Sequence, residues 1–483
     1  MNAKTLSIKQ KKINYISVRE LFIIFYLLGL IIAGFELLTS PHPHHAKQYG
    51  IFPSLPIGIY RFTLMELFSV LFISLFFVVL IAKTLKYNKL SVSLAPSRLM
   101  TILILLFICN LCAAIFLGLF LRNTEVFVML RAHFFLMSFL VIYYFREQVF
   151  NYKNIVFGLT NTLGILFASF AILNFTLNEG RVPLPSLLPD DLYVSGMWFG
   201  MYLTLFALSY HLSKLIFDRY SFWSLFVVVV ALMAVVLRIT NKPIVLSAAV
   251  VIFILALVML LVYKRGYGKV VMLMAVVFFV VFSATSSSQE IKGQILSTFV
   301  ERFYKINIPP ADLSSAKLID IFKLSAEIQV GGSNDVSSGR FELWSGYTAS
   351  GLQYPIVTPF FGNRPSIYLS VSDREETFSA HNAIVHYIYH AGLPAAISLM
   401  LLMILFIRNG WLYLKKTKSL ITLDLRPFQA VSIYAFVVSI IAVELVGGPI
   451  LSSVTFSWFF WSIVTVFFVS LRNYSSIPYT MVK

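Results

Sequence analysis

The feature that most constrains this chain is a series of continuous apolar runs separated by short basic segments. Each run is about 20 residues long, the length of an α-helix that crosses the ~30 Å hydrocarbon core of a bilayer. The runs do not alternate between apolar and polar residues, as the strands of a membrane β-barrel do. Charged residues make up 12% of the chain, against about 25% in a soluble domain. The sequence therefore predicts an all-α polytopic membrane protein and excludes a soluble enzyme or a disordered chain.

The apolar runs predict about twelve transmembrane helices in two groups. The predicted spans lie near residues 21–39, 62–82, 99–120, 124–145, 155–176, 193–213, 221–237, 244–263, 270–288, 382–407, 428–446 and 452–471. Residues 1–288 form a nine-span N-terminal region, residues 289–380 a large polar loop, and residues 381–483 a three-span C-terminal region.

The distribution of basic residues predicts the orientation of the chain. Lysine and arginine concentrate in the short cytoplasmic connections of membrane proteins. With the N-terminus in the cytoplasm, 23 basic residues fall in cytoplasmic segments and 6 in the short outer connections. We therefore expect both termini in the cytoplasm, and we attribute the net charge of +17 to topology rather than to nucleic-acid binding. The first span, which no small-x-small cleavage pattern follows, is interpreted as an uncleaved anchor.

The polar loop of 92 residues, 289–380, lies on the outer side in this topology. It holds eight basic and ten acidic residues. Connections of this length are usually functional. Apolar residues at helical spacing predict short helices near 289–305 and 312–328, and a third that begins near Ser337. Because the chain has no soluble domain of ordinary size, any chemistry must use this loop and the outer ends of the spans.

Residues with suitable chemistry concentrate between 340 and 392. Arg340 and Arg364 are fixed cations around a glycine-containing turn, and the planar guanidinium group suits phosphate and carboxylate oxygens. His381 lies where the loop re-enters the membrane, and a histidine there can accept a proton near neutral pH. Asn382 can orient this histidine or contact a substrate hydroxyl. The sequence thus predicts an anion site with a general base at the outer surface.

Three short patterns in this region, in this order, resemble those of the O-antigen ligase and O-antigen polymerase superfamily of bacterial membrane glycosyltransferases. They are Arg340-x-x-x-Trp344, Pro359-x-x-Gly362 and His381-Asn382-x9-Gly392. The patterns cover about a ninth of the chain, and the number of spans and the position of the loop extend the similarity to the whole. After Gly392 the chain continues Leu393-Pro394-Ala395, where the ligase pattern often has another glycine or small polar residue.

The resemblance implies a glycan donor carried on undecaprenyl diphosphate at the outer face of the bacterial inner membrane. It implies catalytic roles for two residues, His381 as general base on the acceptor hydroxyl and Arg340 as a cation beside the diphosphate. The residues expected to contact substrate are Arg131, Arg238, Lys242, Trp344, Arg364 and Asn382. Because the loop has no Asp-x-Asp motif, we expect a metal-independent transfer without a cofactor. The expected partners are the donor, a glycan or lipid-linked acceptor, membrane lipid and a polysaccharide chain-length regulator.

Two reactions fit this resemblance. A polymerase transfers the growing chain to a new lipid-linked repeat unit, whereas a ligase transfers the finished chain to lipid A core or another acceptor. The long loop and the departure after Gly392 favour the polymerase. A secondary transporter or lipid flippase is the alternative from another class, because twelve spans with both termini inside are common among transporters. No similarity between two halves of the chain supports it. A non-catalytic membrane scaffold is a further alternative.

Each candidate also has a purely structural interpretation. Arg340 can pair with Glu342, and Trp344 can anchor the chain at the lipid interface. His386 and His390 share a helical face, but no third metal ligand accompanies them. Ionisable residues inside spans are functional candidates by default. In this chain they are Glu36, Glu66, Arg131, His133, His211 and Glu444.

Overall fold

The computed structural model describes a helical bundle. It covers residues 18–39, 55–57, 60–87, 97–120, 137–177, 196–218, 221–237, 242–263, 382–417, 425–446, 451 and 453–475. The elements of the N-terminal region are α1 (Val18–Thr39), β1 (Leu55–Ile57), β2 (Tyr60–Phe62), α2 (Leu64–Tyr87), α3 (Arg98–Phe120), α4 (Ser138–Tyr144), α5 (Arg146–Asn151), α6 (Lys153–Leu177), α7 (Gly196–Phe217), α8 (Phe222–Leu237) and α9 (Lys242–Leu257), which continues as a π-helical turn (Val258–Tyr263). Those of the C-terminal region are α10 (Ala383–Ala391), α11 (Leu393–Thr417), α12 (Pro427–Val446) and α13 (Val454–Ser475).

The described residues contain eight helices that are long and apolar enough to cross a membrane. These are α1, α2, α3, α6, α9 with its π-helical turn, α11, α12 and α13. The helix α8 is also apolar but only 16 residues long. A single antiparallel pairing of β1 with β2 interrupts the helical architecture among the described residues. The prediction of an all-α polytopic membrane protein is confirmed.

Burial separates central helices from peripheral ones. The apolar windows of α12 and α13 are 83% and 89% buried, whereas those of the other six spans are between 33% and 44% buried. The peripheral helices instead expose large apolar side chains, among them Val78 and Phe116. A surface of this kind suits contact with lipid rather than water. The helices α12 and α13 therefore form the centre around which the candidate site is built.

The span predicted at 382–407 is not one continuous helix. Gly392 separates α10 from α11 and has a φ of 87°, in the left-handed region that favours glycine. The second helix then continues to Thr417, because Arg408 and Asn409 are accommodated inside it rather than ending it. Hydropathy merged these two helices because their apolar residues are contiguous in sequence.

The span predicted at 124–145 is described only in its second part. There the chain forms the short helices α4 and α5, which Phe145 separates, and Tyr152 separates α5 from α6. The prediction for residues 121–136, the span at 270–288 and the helices of the loop at 289–380 lie outside the described residues.

The short helix α10 packs against two longer helices, α3 and α11. Its residues Ala383, Tyr387 and Ala391 form a small apolar cluster with residues of α3. The rings of Phe107 and Tyr387 meet edge to face with centroids 5.0 Å apart. Small alanine side chains allow this close approach of helices in a membrane protein. The packing places the beginning of α10, where the polar loop returns, against the bundle.

Candidate functional site

Most of the predicted site residues lie outside the described part of the chain. These are Arg131, Arg238, Arg340, Trp344, Arg364 and His381. Lys242 is the first residue of α9, but its side chain is not described. Of the predicted set, Asn382 is the residue whose side-chain contacts the structure gives, and the candidate site is therefore built outward from it.

The side-chain oxygen and nitrogen of Asn382 form hydrogen bonds to two different helices. Its backbone is extended, with φ −151° and ψ 118°, and its Oδ1 accepts a hydrogen bond from the Val385 N–H at 3.1 Å. This is an N-cap, because it satisfies one of the N–H groups that the first turn of a helix leaves without a partner. Its Nδ2 donates to the backbone oxygen of Leu445 at 2.8 Å, in the last turn of α12. Substrate contact by Asn382 stays a prediction, and these two bonds give the residue a structural task.

The spacing of the His-Asn-x9-Gly pattern matches one structural unit. Asn382 caps the beginning of α10 and Gly392 follows its end, so the nine intervening residues are the whole helix. The positive φ of Gly392 redirects the chain from α10 into α11. The asparagine and the glycine of the pattern thus have physical reasons that do not depend on chemistry. His381, which precedes the cap, lies outside the described residues.

Glu444 lies beside this junction, one residue before Leu445. Its side chain is 2% exposed, and its Oε1 accepts a hydrogen bond from the Leu451 N–H at 2.7 Å. A buried carboxylate must be compensated by hydrogen bonds or charge, because its desolvation is costly. Two buried tyrosines, Tyr202 of α7 and Tyr387 of α10, lie close enough for electrostatic interaction with it. Glu444 therefore marks a point where α7, α10, α12 and the segment before α13 meet.

Two histidines of α10 lie on the same side of the helix as its N-cap, Asn382. His386 and His390 follow it at intervals of four residues, which places all three on one side of the helix. Both histidines are 3% exposed, and their ring centroids are 4.5 Å apart. The prediction that these two side chains share a face is confirmed. Among the described residues, no group of three or more histidine, cysteine or acidic side chains is arranged to hold a metal ion.

An apolar cavity of about 130 Å³ adjoins the junction. Residues of α3, α11, α12 and α13 line most of it, and Tyr387 of α10 and Leu451 also contribute to the lining. Glu444 is the charged side chain of this lining. Along α3 the lining extends from Met100 to Leu111, a distance of about 16 Å at 1.5 Å per residue. Its apolar lining suits a hydrocarbon chain.

The acidic residues of α1 and α2 have structural partners. Thr63 and Glu66 form a capping box: Thr63 Oγ1 accepts from the Glu66 N–H at 3.2 Å, and Glu66 Oε2 accepts from the Thr63 N–H at 2.9 Å. Glu36 of α1 accepts from the Met65 N–H at 2.8 Å. The Glu36 carboxylate thus joins α1 to the first turn of α2, and the Glu66 carboxylate caps the residue that precedes α2.

His211 also has a structural partner. It is 6% exposed in α7, and its Nδ1 lies 3.1 Å from Ser224 Oγ of α8. Arg131 and His133, the remaining ionisable residues predicted inside spans, lie outside the described residues.

Sequence reasoning placed Glu444 below the loop residues and did not single out Tyr387, Leu445 or Leu451. A signal for Glu444 was present, because a carboxylate inside an apolar run usually has a function. No such signal marks Leu445 and Leu451, because they contribute backbone groups and any residue type supplies a backbone oxygen.

Comparison with models of protein families gives no match to this chain. Comparison with curated proteins gives no match either.

Proposed function

We propose that this chain is a membrane glycosyltransferase that polymerises lipid-linked oligosaccharide repeat units at the outer face of the bacterial inner membrane. The donor is a growing glycan on undecaprenyl diphosphate, and the acceptor is a new lipid-linked repeat unit. The helical membrane architecture supports a site that meets its substrates at a membrane surface. The excess of basic residues in the predicted inner connections supports cytoplasmic termini, which leaves the polar loop on the outer side.

The proposed reaction needs one base and a set of cations. The acceptor hydroxyl oxygen attacks the anomeric carbon of the donor sugar, and the bond from that carbon to the diphosphate oxygen breaks. His381 takes the hydroxyl proton, and the diphosphate leaves on its lipid with the bonding electron pair. Arg340 stabilises the negative charge that develops on this leaving group. Arg238, Lys242, Arg364 and Arg131 are the further cations proposed to bind the donor.

The observation that carries the proposal is the placement of Asn382. The residue that follows the proposed base is fixed by hydrogen bonds to α10 and to the end of α12. His381 itself lies outside the described residues, and one peptide bond connects it to Asn382 at that junction. Glu444, which precedes the acceptor residue Leu445 in α12, lines the apolar cavity. The residue that follows the proposed base is thus part of a junction beside a space suited to a lipid chain.

The cavity supports a lipid-linked substrate in particular. Its lining is apolar except near Glu444, and an apolar cavity does not hold ordered water. In the proposed complex, part of the isoprenoid chain lies in it while the diphosphate is held by the loop cations. Glu444 carries the wrong charge for a phosphate, so we place the diphosphate outside the cavity.

The ligase reaction is the second candidate, because it uses the same donor and the same step at the anomeric carbon. The length of the loop and the sequence after Gly392 favour the polymerase. Proton-coupled transport is the more remote alternative, and the buried residues His386, His390 and Glu444 are its support.

The test of the function is a chain-length profile of the surface polysaccharide. Cells carrying the intact gene are compared with a deletion and with His381→Ala and Arg340→Ala, at equal protein level. Arg374→Ala, which changes a loop arginine outside the three patterns, is the matched control. We expect single repeat units to accumulate in the deletion and in both site variants, while the control gives the normal ladder.

The other outcomes separate the alternatives. Full-length polymer retained on its carrier lipid in the site variants means that the chain is a ligase. A normal profile in both site variants removes the catalytic assignment and favours transport.

A second experiment tests the cavity. Met403 lines it and is 8% exposed, whereas Leu401 of the same helix is 38% exposed and does not line it. Met403→Trp fills the cavity, and we expect it to raise the KM for a donor with the full isoprenoid chain but not for a short-chain donor. Leu401→Trp adds the same ring outside the cavity and leaves both values unchanged. Equal KM values for the two donors in Met403→Trp contradict the placement of the lipid chain.

A further inference from the structure

Two adjacent residues at the end of α12 connect three segments of the chain. Leu445 accepts the hydrogen bond from Asn382 Nδ2 at 2.8 Å, and Glu444 accepts the hydrogen bond from the Leu451 N–H at 2.7 Å. The first bond joins α12 to the beginning of α10. The second joins it to Leu451, which precedes α13. We call these four residues and their two bonds the tether.

The bond to Leu445 exceeds what capping α10 requires. Asn382 Oδ1 alone caps the helix through Val385. The side-chain nitrogen reaches a different helix, 63 residues away in sequence. The Leu445 oxygen belongs to the last turn of α12, where backbone oxygens have no partner within the helix. An aspartate or serine would cap α10 equally well, but neither would make this second bond.

The carboxylate of Glu444 also connects two segments of the chain. It is nearly fully buried, and any apolar residue would be less costly at such a position. Its bond to Leu451 holds the end of α12 beside the segment that precedes α13, across the six intervening residues 445–450. Because α12 and α13 are the most buried spans among the described residues, this end of the tether is fixed to the centre of the bundle.

The tether therefore fixes the beginning of α10 to α12. In the proposed function the base is the residue bonded to Asn382, so the reaction is sensitive to a displacement of the beginning of α10 relative to α12. A displacement of about 1 Å lowers the rate of an oriented reaction by about 100-fold. The binding of donor and acceptor depends on other groups, the loop cations and the cavity.

We propose that Asn382 and Glu444 are positioning residues, which hold His381 in register with the centre of the bundle through the tether. The inference rests on the proposed function and adds to it the parts that orient the base. It predicts that loss of either bond lowers kcat and leaves KM nearly unchanged.

The test uses the full-length protein in lipid nanodiscs with lipid-linked repeat units as substrate. Asn382→Ser keeps an N-cap oxygen for α10 and removes the donor to Leu445. Glu444→Ala removes the acceptor for Leu451, and Glu444→Gln restores an acceptor of the same shape. We expect kcat to fall about 10- to 100-fold in Asn382→Ser and Glu444→Ala, with KM within about twofold of the wild type. Glu444→Gln recovers most of the rate.

The matched control is Ser97→Ala. Ser97 caps α3 through the Met100 N–H at 3.2 Å and is distant in sequence from the tether. Ser97→Ala also removes one side-chain hydrogen bond at the beginning of a helix, so its thermal stability falls, but we expect kcat to stay unchanged. If Asn382→Ser does not yield folded protein, Asn382→Asp, which is also a strong N-cap, replaces it with the same expected loss of kcat.

The results separate failure of the tether from failure of the proposed function. Normal kcat in His381→Ala overturns the proposed function. Loss of activity in His381→Ala together with normal kcat in Asn382→Ser and Glu444→Ala overturns the tether alone. A raised KM with unchanged kcat in Asn382→Ser means that Asn382 binds substrate, which also overturns its role as a positioning residue.

Discussion

Two glycines of α6 are predicted to respond in opposite ways to the same substitution. Gly164 is buried where α6 meets α7, and a Cβ placed on it would lie 2.5 Å from the backbone oxygen of Leu203. Gly158 is exposed, and a Cβ placed on it would meet no atom within 4 Å. We expect Gly164→Ala to destabilise the protein and Gly158→Ala to leave it unchanged or slightly more stable.

The magnitude follows from the geometry of the contact. Carbon and oxygen atoms in ordinary contact are about 3.4 Å apart, so the two helices must separate by about 0.9 Å, and such a gap forfeits a quarter to a half of the dispersion attraction. Overpacking of this kind costs about 1–3 kcal/mol. The same shift weakens the hydrogen bond from Thr204 Oγ1 to the Gly164 oxygen, which is 2.9 Å long. Such bonds between membrane helices contribute about 0.6 kcal/mol.

Replacing glycine by alanine inside a helix contributes about 0.5–1 kcal/mol in the opposite direction. The net destabilisation expected for Gly164→Ala is therefore about 0.5–3 kcal/mol, and Gly158→Ala receives the favourable contribution alone. The assay is the free energy of unfolding in mixed micelles, with both variants measured in parallel. Equal free energies of unfolding in the two variants, or a gain in Gly164→Ala, would refute the close approach of α6 and α7.

Three further predictions test the core, a helix cap and the topology. The buried indole N–H of Trp458 donates a hydrogen bond to Ser69 Oγ at 3.2 Å. Ser69→Ala removes this acceptor, and we expect the free energy of unfolding to fall by about 1–3 kcal/mol. An unchanged free energy of unfolding contradicts that bond. Thr63→Ala breaks the capping box with Glu66, and we expect a loss of about 0.5–2 kcal/mol, which the same assay measures and which Thr63→Ser should restore. A cysteine at Lys4, in a protein whose native cysteines are replaced by alanine, should react with an impermeant maleimide only after the membrane is permeabilised; labelling of intact cells contradicts a cytoplasmic N-terminus.

The predicted spans agree with the described helices where the apolar run ends in a clear polar segment. The helices α1, α12 and α13 begin and end within a few residues of the prediction. Hydropathy succeeds there because transfer from water to hydrocarbon depends mainly on the composition of a local window. It failed to divide 382–407 at Gly392, since a change of backbone direction does not alter local composition.

The sequence indicated some residues of the candidate site but none of the contacts between its helices. The sequence singled out Asn382 and placed His386 and His390 on one face, because both predictions follow from neighbours in sequence. It gave no indication that Asn382 donates to Leu445 or that Glu444 accepts from Leu451. The roles proposed for His381 and the loop cations stay predictions.

The sequence by itself determined that this chain folds in a membrane as a set of apolar helices. That outcome follows because every backbone N–H and C=O group in hydrocarbon must find a partner within the chain, which an apolar helix provides locally. Only the tertiary structure decided which helix ends meet, where α6 and α7 touch, and where the cavity lies beside Glu444. Lipid is as apolar as the helix surfaces, so hydropathy does not favour one pairing of faces over another. The pairing depends on the shapes of side chains and on hydrogen bonds between residues far apart in sequence.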